Sequence, residues 1–409
     1  LNPGFRERPA YRSNQRFGLV IYQKWELKHY METLQRKILG ANELLEDVHK
    51  RELCIGCGAC VDICPYFKNY KGKTARLFPC TLEQGRCYGY CPKAEVDLDA
   101  LSQAIRGVPY DGSPLGDYRE VLAARAGGKM KKGAFQSGGT VTALLTFALK
   151  TGLIDAAALT DREDLTPVPR IVTDWQDVAR CASSKFMAAP TLSSVNLAVR
   201  QGYQSIGVVG TPCQMMAAAQ MKSNPLAEKA HKIPLSLTVG LFCNWSLDTR
   251  QLIDLLSEKL DISGIEGMDI PPPPAKSLVL DTASGRVEIS LSEIKPLIPH
   301  TCFVCPDMTS ELADVSVGMF EGRPGWNTLI LRSAIGAELI EHARREGFIE
   351  TEEFPVENLK HLSRAAANKK DRSLRTLIRR ELINTKGQER AALRIPQDVV
   401  DRILNKKES

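Results

Sequence analysis

No uninterrupted apolar run in the 409 residues reaches the roughly eighteen that a membrane-crossing helix needs, so no transmembrane segment is expected. The first thirty residues mix Arg, Pro and Asn without a continuous apolar stretch, so the chain shows no secretory signal and a cytoplasmic location is the expectation. Aromatic residues make up only 6% of the chain and are not interleaved with its basic stretches, which argues against a base-stacking platform and a nucleic-acid partner. Histidine is scarce too. The six (His29, His49, His231, His300, His342, His361) include no pair at helical metal-binding spacing, which turns attention away from a His-rich zinc or di-iron site.

What is present is an ordinary globular composition, 43% hydrophobic and 25% charged, in a chain long enough for two or three domains. The net charge of +6 belongs to the end of the chain, where Lys360 to Ser409 carries 14 basic against 6 acidic residues. A solvated helix face is the simplest reading of such a run. Five segments follow from the pattern. Residues 1–45 read as a basic extension and a helix with Trp25, Leu27, Tyr30, Met31, Leu34 and Ile38 at helical spacing. Residues 46–96 hold seven cysteines with little periodicity, so a cofactor is expected to organise them. Residues 97–132 read as a linker broken by Pro109-Tyr110-Asp111-Gly112 and Gly127-Gly128, residues 133–355 as the main body, and residues 356–409 as a basic helical tail.

In the main body, strand and helix patterns alternate, which predicts an α/β layer. Helices are expected over 140–151, 215–221 and 338–345, strands over 156–159, 205–209 and 328–331, and a hairpin over 277–291 turning at Asp281 to Gly285. Pro271-Pro272-Pro273-Pro274 should form a stiff extended loop.

Twelve cysteines without a secretory signal point to metal ligation or redox chemistry rather than disulfides. Cys54-x2-Cys57-x2-Cys60-x3-Cys64-Pro65 is the bacterial-type ferredoxin run, whose fourth cysteine serves the other cluster of a two-cluster fold. The second half-motif is imperfect. Anchored on Cys91-Pro92 it contains Cys87, but Gln84 stands where the second cysteine belongs and Cys80 lies beside Thr81. One cluster is thus assigned to Cys54, Cys57, Cys60 and Cys91, and the other has Cys64, Cys80 and Cys87. The latter set recruits a distant ligand such as Cys181, or a non-cysteine group, or holds a 3Fe–4S cluster. A zinc ribbon is the alternative for the whole segment, and the proline after the fourth cysteine together with the paired half-motif favours iron. A further set comprises Cys213, which follows a strand, Cys243, and Cys302-x2-Cys305-Pro306. Spacing alone leaves it open between inert buried thiols, a reactive Cys213 at a helix start, and one cubane.

Gln136-Ser137-Gly138-Gly139-Thr140-Val141-Thr142, Ser183-Ser184-Lys185-Phe186, Gly210-Thr211-Pro212-Cys213-Gln214, Gly240-Leu241-Phe242-Cys243, and Cys302 to Cys305 running into Glu311 to Gly318 resemble the β subunits of coenzyme F-420 hydrogenases and dehydrogenases. The match runs in order over about 60% of the chain, from Gln136 to Glu381. The resemblance implies an α/β flavin-binding main domain with an inserted hairpin, preceded by a small α+β ferredoxin-like two-cluster domain. It implies FAD contacts on Ser137, Gly138, Gly139, Thr142, Ser184, Lys185, Thr211, Pro212 and Gln214, and a 4Fe–4S cluster on Cys213, Cys243, Cys302 and Cys305. With the ferredoxin-like sets the total is two or three clusters.

The activity implied is reversible hydride exchange between a soluble carrier and FAD, with single electrons passed through 4Fe–4S clusters to or from a partner redox enzyme. Formate dehydrogenase, hydrogenase or heterodisulfide-reductase-like subunits are the partners implied. Lys185 is the residue assigned a catalytic role, stabilising negative charge on the reduced flavin. Asp314, Glu311 and His300 either tune a cluster or hydrogen-bond a turn. Where deazaflavin-reducing relatives carry a Gly/Lys-rich stretch, this chain has Pro271 to Pro274, a stiffer and less basic loop, so the carrier is left open between an F-420-type deazaflavin and a nicotinamide-like molecule. Two other activities fit the same motifs: a stand-alone ferredoxin-dependent reductase of a tetrapyrrole ring, and a non-catalytic ferredoxin-type electron carrier.

Overall fold

The computed structural model describes residues 38–130, 135–223, 226, 233–272, 274–385 and 390–405. The amphipathic helix expected before residue 38 lies outside the described residues.

An eight-stranded mixed sheet organises the main body. Its strands lie in the order Ile349–Glu353, Glu120–Ala126, Asn327–Leu331, Val315–Met319, Leu235–Leu241, Ile206–Gly210, Ala156–Glu163 and Thr166–Val172. Val315–Met319, Leu235–Leu241, Ile206–Gly210 and Ala156–Glu163 run parallel, and the flanking strands pair antiparallel. The parallel strands are buried on both faces, which is why Ile206 to Gly210 reads as one apolar run, while Leu235–Leu241 keeps Ser236 and the buried Thr238 among its apolar residues. Helices Thr140–Lys150, Thr191–Arg200 and Pro212–Ser223 cover the sheet with buried faces. The expected hairpin forms from Ser277–Thr282 and Gly285–Ser290, joined by Ile265–Asp269 in a separate three-stranded sheet.

Two segments differ from expectation. Residues 97–132, read as a linker of short helical pieces and breakers, contain the helix Leu98–Arg106 but also the strand Glu120–Ala126, which lies inside the large sheet between two neighbours. Its three alanines and two charged residues in seven positions are a weak β signal, and long-range pairing supplies what propensity lacks. The basic tail is not a detached helix either. Val356–Arg379 buries Ala366, Lys369, Lys370, Ser373, Leu374 and Leu377. Beyond it, Ile383–Asn384 and Leu393–Arg394 pair in a small sheet with Val96–Asp97.

The cysteine-rich segment shares its core with that tail. Leu44, Val48, Leu53, Phe67, Tyr88 and Val96 pack with Leu374, Leu377, Leu382, Leu393 and Val400. The same segment is tied to the main body by buried hydrogen bonds: Asn196 Nδ2 donates to Ala59 O and Val61 O at 3.1 and 2.7 Å, Gln220 Nε2 to Cys91 O at 2.7 Å, and Thr301 Oγ1 to Leu53 O at 2.8 Å. Each bond joins a backbone carbonyl of the cysteine-rich segment to a side chain of the main body, and all four land on or beside a cysteine. The thiols therefore have fixed positions relative to the main body.

Candidate redox site

The first ferredoxin-like run turns on glycine. Gly56 and Gly58 have φ of +66° and +85°, and a Cβ on either would strike a backbone oxygen, Gly72 O at 2.1 Å or Pro190 O at 2.4 Å. Only glycine lets the loop wrap so tightly between Cys54, Cys57 and Cys60.

The thiols fall into three interacting sets. Burial raises the pKa of Cys57 well above that of an ordinary thiol, and Cys91, Cys54 and Cys213 add to it. Burial likewise raises Cys60, reinforced by Cys57, Cys54, Cys91 and Cys87. Cys87 is pushed up to about 12 by burial, with Cys64 and Cys80 adding to the rise. In the main body, Cys213 is pushed up to about 12 by burial, then by Cys305 and Cys302, while Cys243 is raised by burial and by Cys213, Cys302 and Cys305. The sets are consecutive: Cys57 feels Cys213 of the main-body set, and Cys60 feels Cys87 of the far set. Thiols with pKa values this high stay protonated until a metal displaces the proton, as in a binding site that forms with its metal. Among the described residues, no three His, Cys, Asp or Glu side chains converge on a single-ion site.

All twelve cysteines lie within the described residues, and Cys181 belongs to none of the sets. The charges acting most on it come from Asp161, Lys185, Arg170 and Arg180, and burial lifts its thiol to about 11. The sequence offered Cys181 as a distant fourth ligand for Cys64, Cys80 and Cys87. The fold instead puts it in the 3-10 turn Trp175–Cys181, on the wall of a cavity.

That cavity, about 640 Å³, brings the sequence motifs together. Ser137, Thr142, Ser184, Lys185, Thr211, Pro212 and Gln214 line it, as do Gly139 and all four cysteines of the main-body set. Cys54 of the first ferredoxin-like set reaches it as well. Gly138 does not line it. It packs on Asn327, whose Oδ1 would lie 2.5 Å from a Cβ at that position. Asn327 was not singled out in the sequence, yet it anchors the turn by accepting from Thr140 Oγ1 at 2.8 Å and donating to Ser137 Oγ at 3.3 Å.

Gly139 adopts φ +72° as the N-cap of Thr140–Lys150 and has no side chain to cap it, and Asn327 Oδ1 instead accepts from Thr140 N at 3.3 Å. Gln136 ties two walls together: its Oε1 accepts from Ser184 N at 2.6 Å, and its Nε2 donates to Asp269 Oδ1 at 2.6 Å. Gln214 is held from within, accepting from Thr211 N at 2.8 Å and donating to Ala189 O at 2.8 Å. Lys185 sits on the cavity wall, but its Nζ donates to Cys181 O, Ala182 O and Ser183 O at 2.7, 2.8 and 2.9 Å. It holds a strained loop closed, since Ser183 and Phe186 have φ of +80° and +54°. Pro271 and Pro272 of the stiff loop line the cavity too. Thr249 Oγ1, also on its wall, is buried without a hydrogen-bond partner among the described residues.

Asp314 accepts from Thr238 N and Oγ1 at 2.8 and 2.7 Å, Glu311 pairs with Lys370 at 2.7 Å, and His300 lies in a separate surface cleft with Arg379 and Arg380.

Among the described residues, no helix is long and apolar enough to cross a membrane. Comparison with known proteins gives a consistent picture. The family described as "Coenzyme F420 hydrogenase/dehydrogenase, beta subunit" matches in both its parts, the N-terminal one over residues 121–196 and the C-terminal one over 203–357. A 4Fe-4S binding domain matches residues 48–66. The coenzyme F420 hydrogenase subunit beta of Methanothermobacter thermautotrophicus is 29% identical over 276 residues, 65% of this chain and 96% of that protein. The coenzyme F420-dependent sulfite reductase of Methanocaldococcus jannaschii is 28% identical over 333 residues, 78% of this chain and 50% of that protein. A chain of the F420-reducing NiFe hydrogenase complex from Methanosarcina barkeri superimposes with a TM-score of 0.60 at 26% identity, covering 65% of this chain and 93% of that one. The ordered motifs, the mixed sheet that carries them and the cysteine run ahead of it place this chain in the coenzyme F420 hydrogenase/dehydrogenase beta subunit family, with a 4Fe–4S segment at its front.

Proposed function

We propose that this chain is an iron–sulfur flavoprotein subunit that exchanges a hydride between a soluble carrier and FAD and passes single electrons to or from a partner redox enzyme. The observation that carries the reading is the shared cavity: the turn at Ser137–Thr142, the loop at Ser183–Phe186 and the turn at Thr211–Gln214 open onto the same space as Cys213, Cys243, Cys302 and Cys305. Its volume lies within the range of small-molecule sites. The residues fit a flavin. The helix start behind Gly139, where Asn327 takes the Thr140 amide, offers its following backbone amides to phosphate or ribityl oxygens, and the unpartnered Thr249 hydroxyl offers a further polar contact. They also fit iron–sulfur clusters, since each set is built of thiols that act on one another. The 4Fe–4S family match favours iron over zinc.

A flavin supplies the conversion between hydride and single-electron chemistry, and clusters supply one-electron transfer. The chain's own residues hold, orient and shield. The consecutive sets around Cys213, Cys57 and Cys87 give a direction from the cavity into the ferredoxin-like segment. The carrier is an F-420-type deazaflavin or a nicotinamide-like molecule, and formate dehydrogenase, hydrogenase or heterodisulfide-reductase-like subunits are the partners proposed. The relatives named as F420 hydrogenase subunits support the deazaflavin.

Anaerobic purification with iron, sulfide and released flavin measured on one sample tests this reading. About one FAD with about eleven or twelve irons is the expected result. Iron without flavin, after incubation with FAD, would leave only an electron-carrier subunit.

Lys185 gives the cavity a pH dependence. Burial lowers its pKa to about 8, so above that pH the ammonium becomes an amine with two N–H groups for three carbonyls. The Ser183–Phe186 loop then loosens and a positive charge leaves the cavity wall. Flavin affinity is expected to fall as pH rises through about 8, read by flavin retention on ultrafiltration, and Lys185→Arg should flatten the decline. An equally steep decline in Lys185→Arg would assign the titration to another group.

A further inference from the structure

Lys369 lies in the middle of Val356–Arg379 and is 3% exposed. Its Nζ donates to Cys243 O at 2.6 Å and to Asp307 O at 2.8 Å, and it lines the cavity beside the main-body thiols. Both acceptors are uncharged carbonyls. The carboxylate of Asp307 is turned to the loop, accepting from Thr309 N and Glu311 N at 2.9 and 2.8 Å. The next residue makes the contrast: Lys370 is neutralised by Glu311 at 2.7 Å. One of two adjacent buried ammonium groups thus has a carboxylate partner, and the other is left facing thiols.

We infer that Lys369 is a fixed positive charge that raises the reduction potential of the cluster held by Cys213, Cys243, Cys302 and Cys305. The inference rests on the proposed reading that these four thiols hold a cluster. Its physics is simple. One-electron reduction adds a negative charge to a thiolate-bound cluster, a buried cation nearby favours the charged-up form, and low local polarity leaves that attraction weakly screened. The cluster closest to the flavin cavity would therefore accept electrons more readily than its thiolates alone allow. The helix that carries Lys369 also fastens the cluster's surroundings: Ser373 Oγ donates to Cys305 O at 2.8 Å, one turn on.

The test is a potentiometric titration of the cluster-loaded full chain followed by electron paramagnetic resonance, on wild type and on Lys369→Gln, Lys369→Met and Lys369→Arg. At a fixed potential, the reduced-to-oxidised ratio of one cluster is expected to fall about tenfold in the Gln and Met variants, or about 59 mV for a one-electron couple. The Arg variant should recover most of it, and the other clusters should not move. Unmoved potentials in fully loaded Gln and Met variants would overturn the inference, as would loss of iron with no shift in what remains, which marks a purely structural cross-link. Cys305→Ser separates the two levels. If it leaves the iron content unchanged, the four-thiol reading fails and takes this inference with it; if it lowers iron while the Lys369 variants keep their potential, only the inference fails.

Discussion

Cys213→Ser is expected to lose about four irons from the purified chain while keeping its flavin, and to slow electron delivery to an artificial acceptor by at least about 100-fold. The reason is positional. Cys213 is the second residue of the helix Pro212–Ser223, which follows the strand Ile206–Gly210 after Thr211, so its thiol lines the cavity while also acting on Cys57 of the ferredoxin-like set. Cys213 and Cys54, both on the cavity wall, are the thiols where the main-body set and the cysteine-rich segment meet. Thr211 Oγ1 stands 3.2 Å from its Sγ and holds the turn in place. Serine preserves that turn and removes only the soft donor, so folding is expected to survive. Cys181→Ser is the control on the same wall. It should retain all of its iron, because Cys181 answers to Asp161 and Lys185 rather than to another thiol. Iron analysis and visible spectra of the two variants decide the matter: equal losses in both, or no loss in Cys213→Ser, would dissolve the three-set assignment.

How much of this was legible in the sequence depends on the range of the interaction. The Cys54-x2-Cys57-x2-Cys60 run and the Gly138-Gly139 turn are local, and short-range geometry dictates their residues, so they read directly. The helix at 140–150 and the strand at 206–210 read from periodicity, with ends within a residue or two of the observed ones. Glu120–Ala126 did not. Its sheet position depends on partners about two hundred residues away, at Asn327–Leu331 and Ile349–Glu353, and nothing in its composition announces them. Lys369 and Lys370 were read with the basic tail as a solvated face. A charge count cannot separate an ammonium in water from one folded onto Cys243 O or paired with Glu311. A weak signal was present, since Leu374 and Leu377 continue an apolar stripe from Ala366 along the same helix, and a stripe beside two lysines marks a face that packs. The Lys185 side chain was expected to act on the flavin ring. Its three carbonyl contacts depend on the reversal of Ser183 and Phe186 into positive φ, a conformation that a Ser-Ser-Lys-Phe string does not disclose.

Lys370→Met is expected to destabilise the chain by about 3–5 kcal/mol, the cost of leaving a buried charge without its partner. Lys370 is 1% exposed, and its Nζ donates to Glu311 Oε1 at 2.7 Å, Ser113 O at 2.9 Å and Tyr110 Oη at 3.0 Å. Burial works against its charge, but Glu311 and Tyr110 outweigh that and keep the ammonium protonated. Methionine fills the same volume, so the loss would come from stranded acceptors rather than from a cavity. Glu311 would suffer most, since its carboxylate is 9% exposed and pairs with this ammonium. The pair also links three parts of the chain: the segment around Tyr110 and Ser113, the loop after Cys305, and the Val356–Arg379 helix that carries Lys369 toward the main-body thiols. Destabilisation should therefore appear together with faster iron loss. The double variant Lys370→Met with Glu311→Leu separates charge from packing, because removing both ions also removes both desolvation costs. It should recover most of the stability in denaturation followed by circular dichroism. A single variant within about 1 kcal/mol of wild type would mean that Glu311, whose carboxyl burial already pushes up to about 7, takes a proton and rests neutral without its partner.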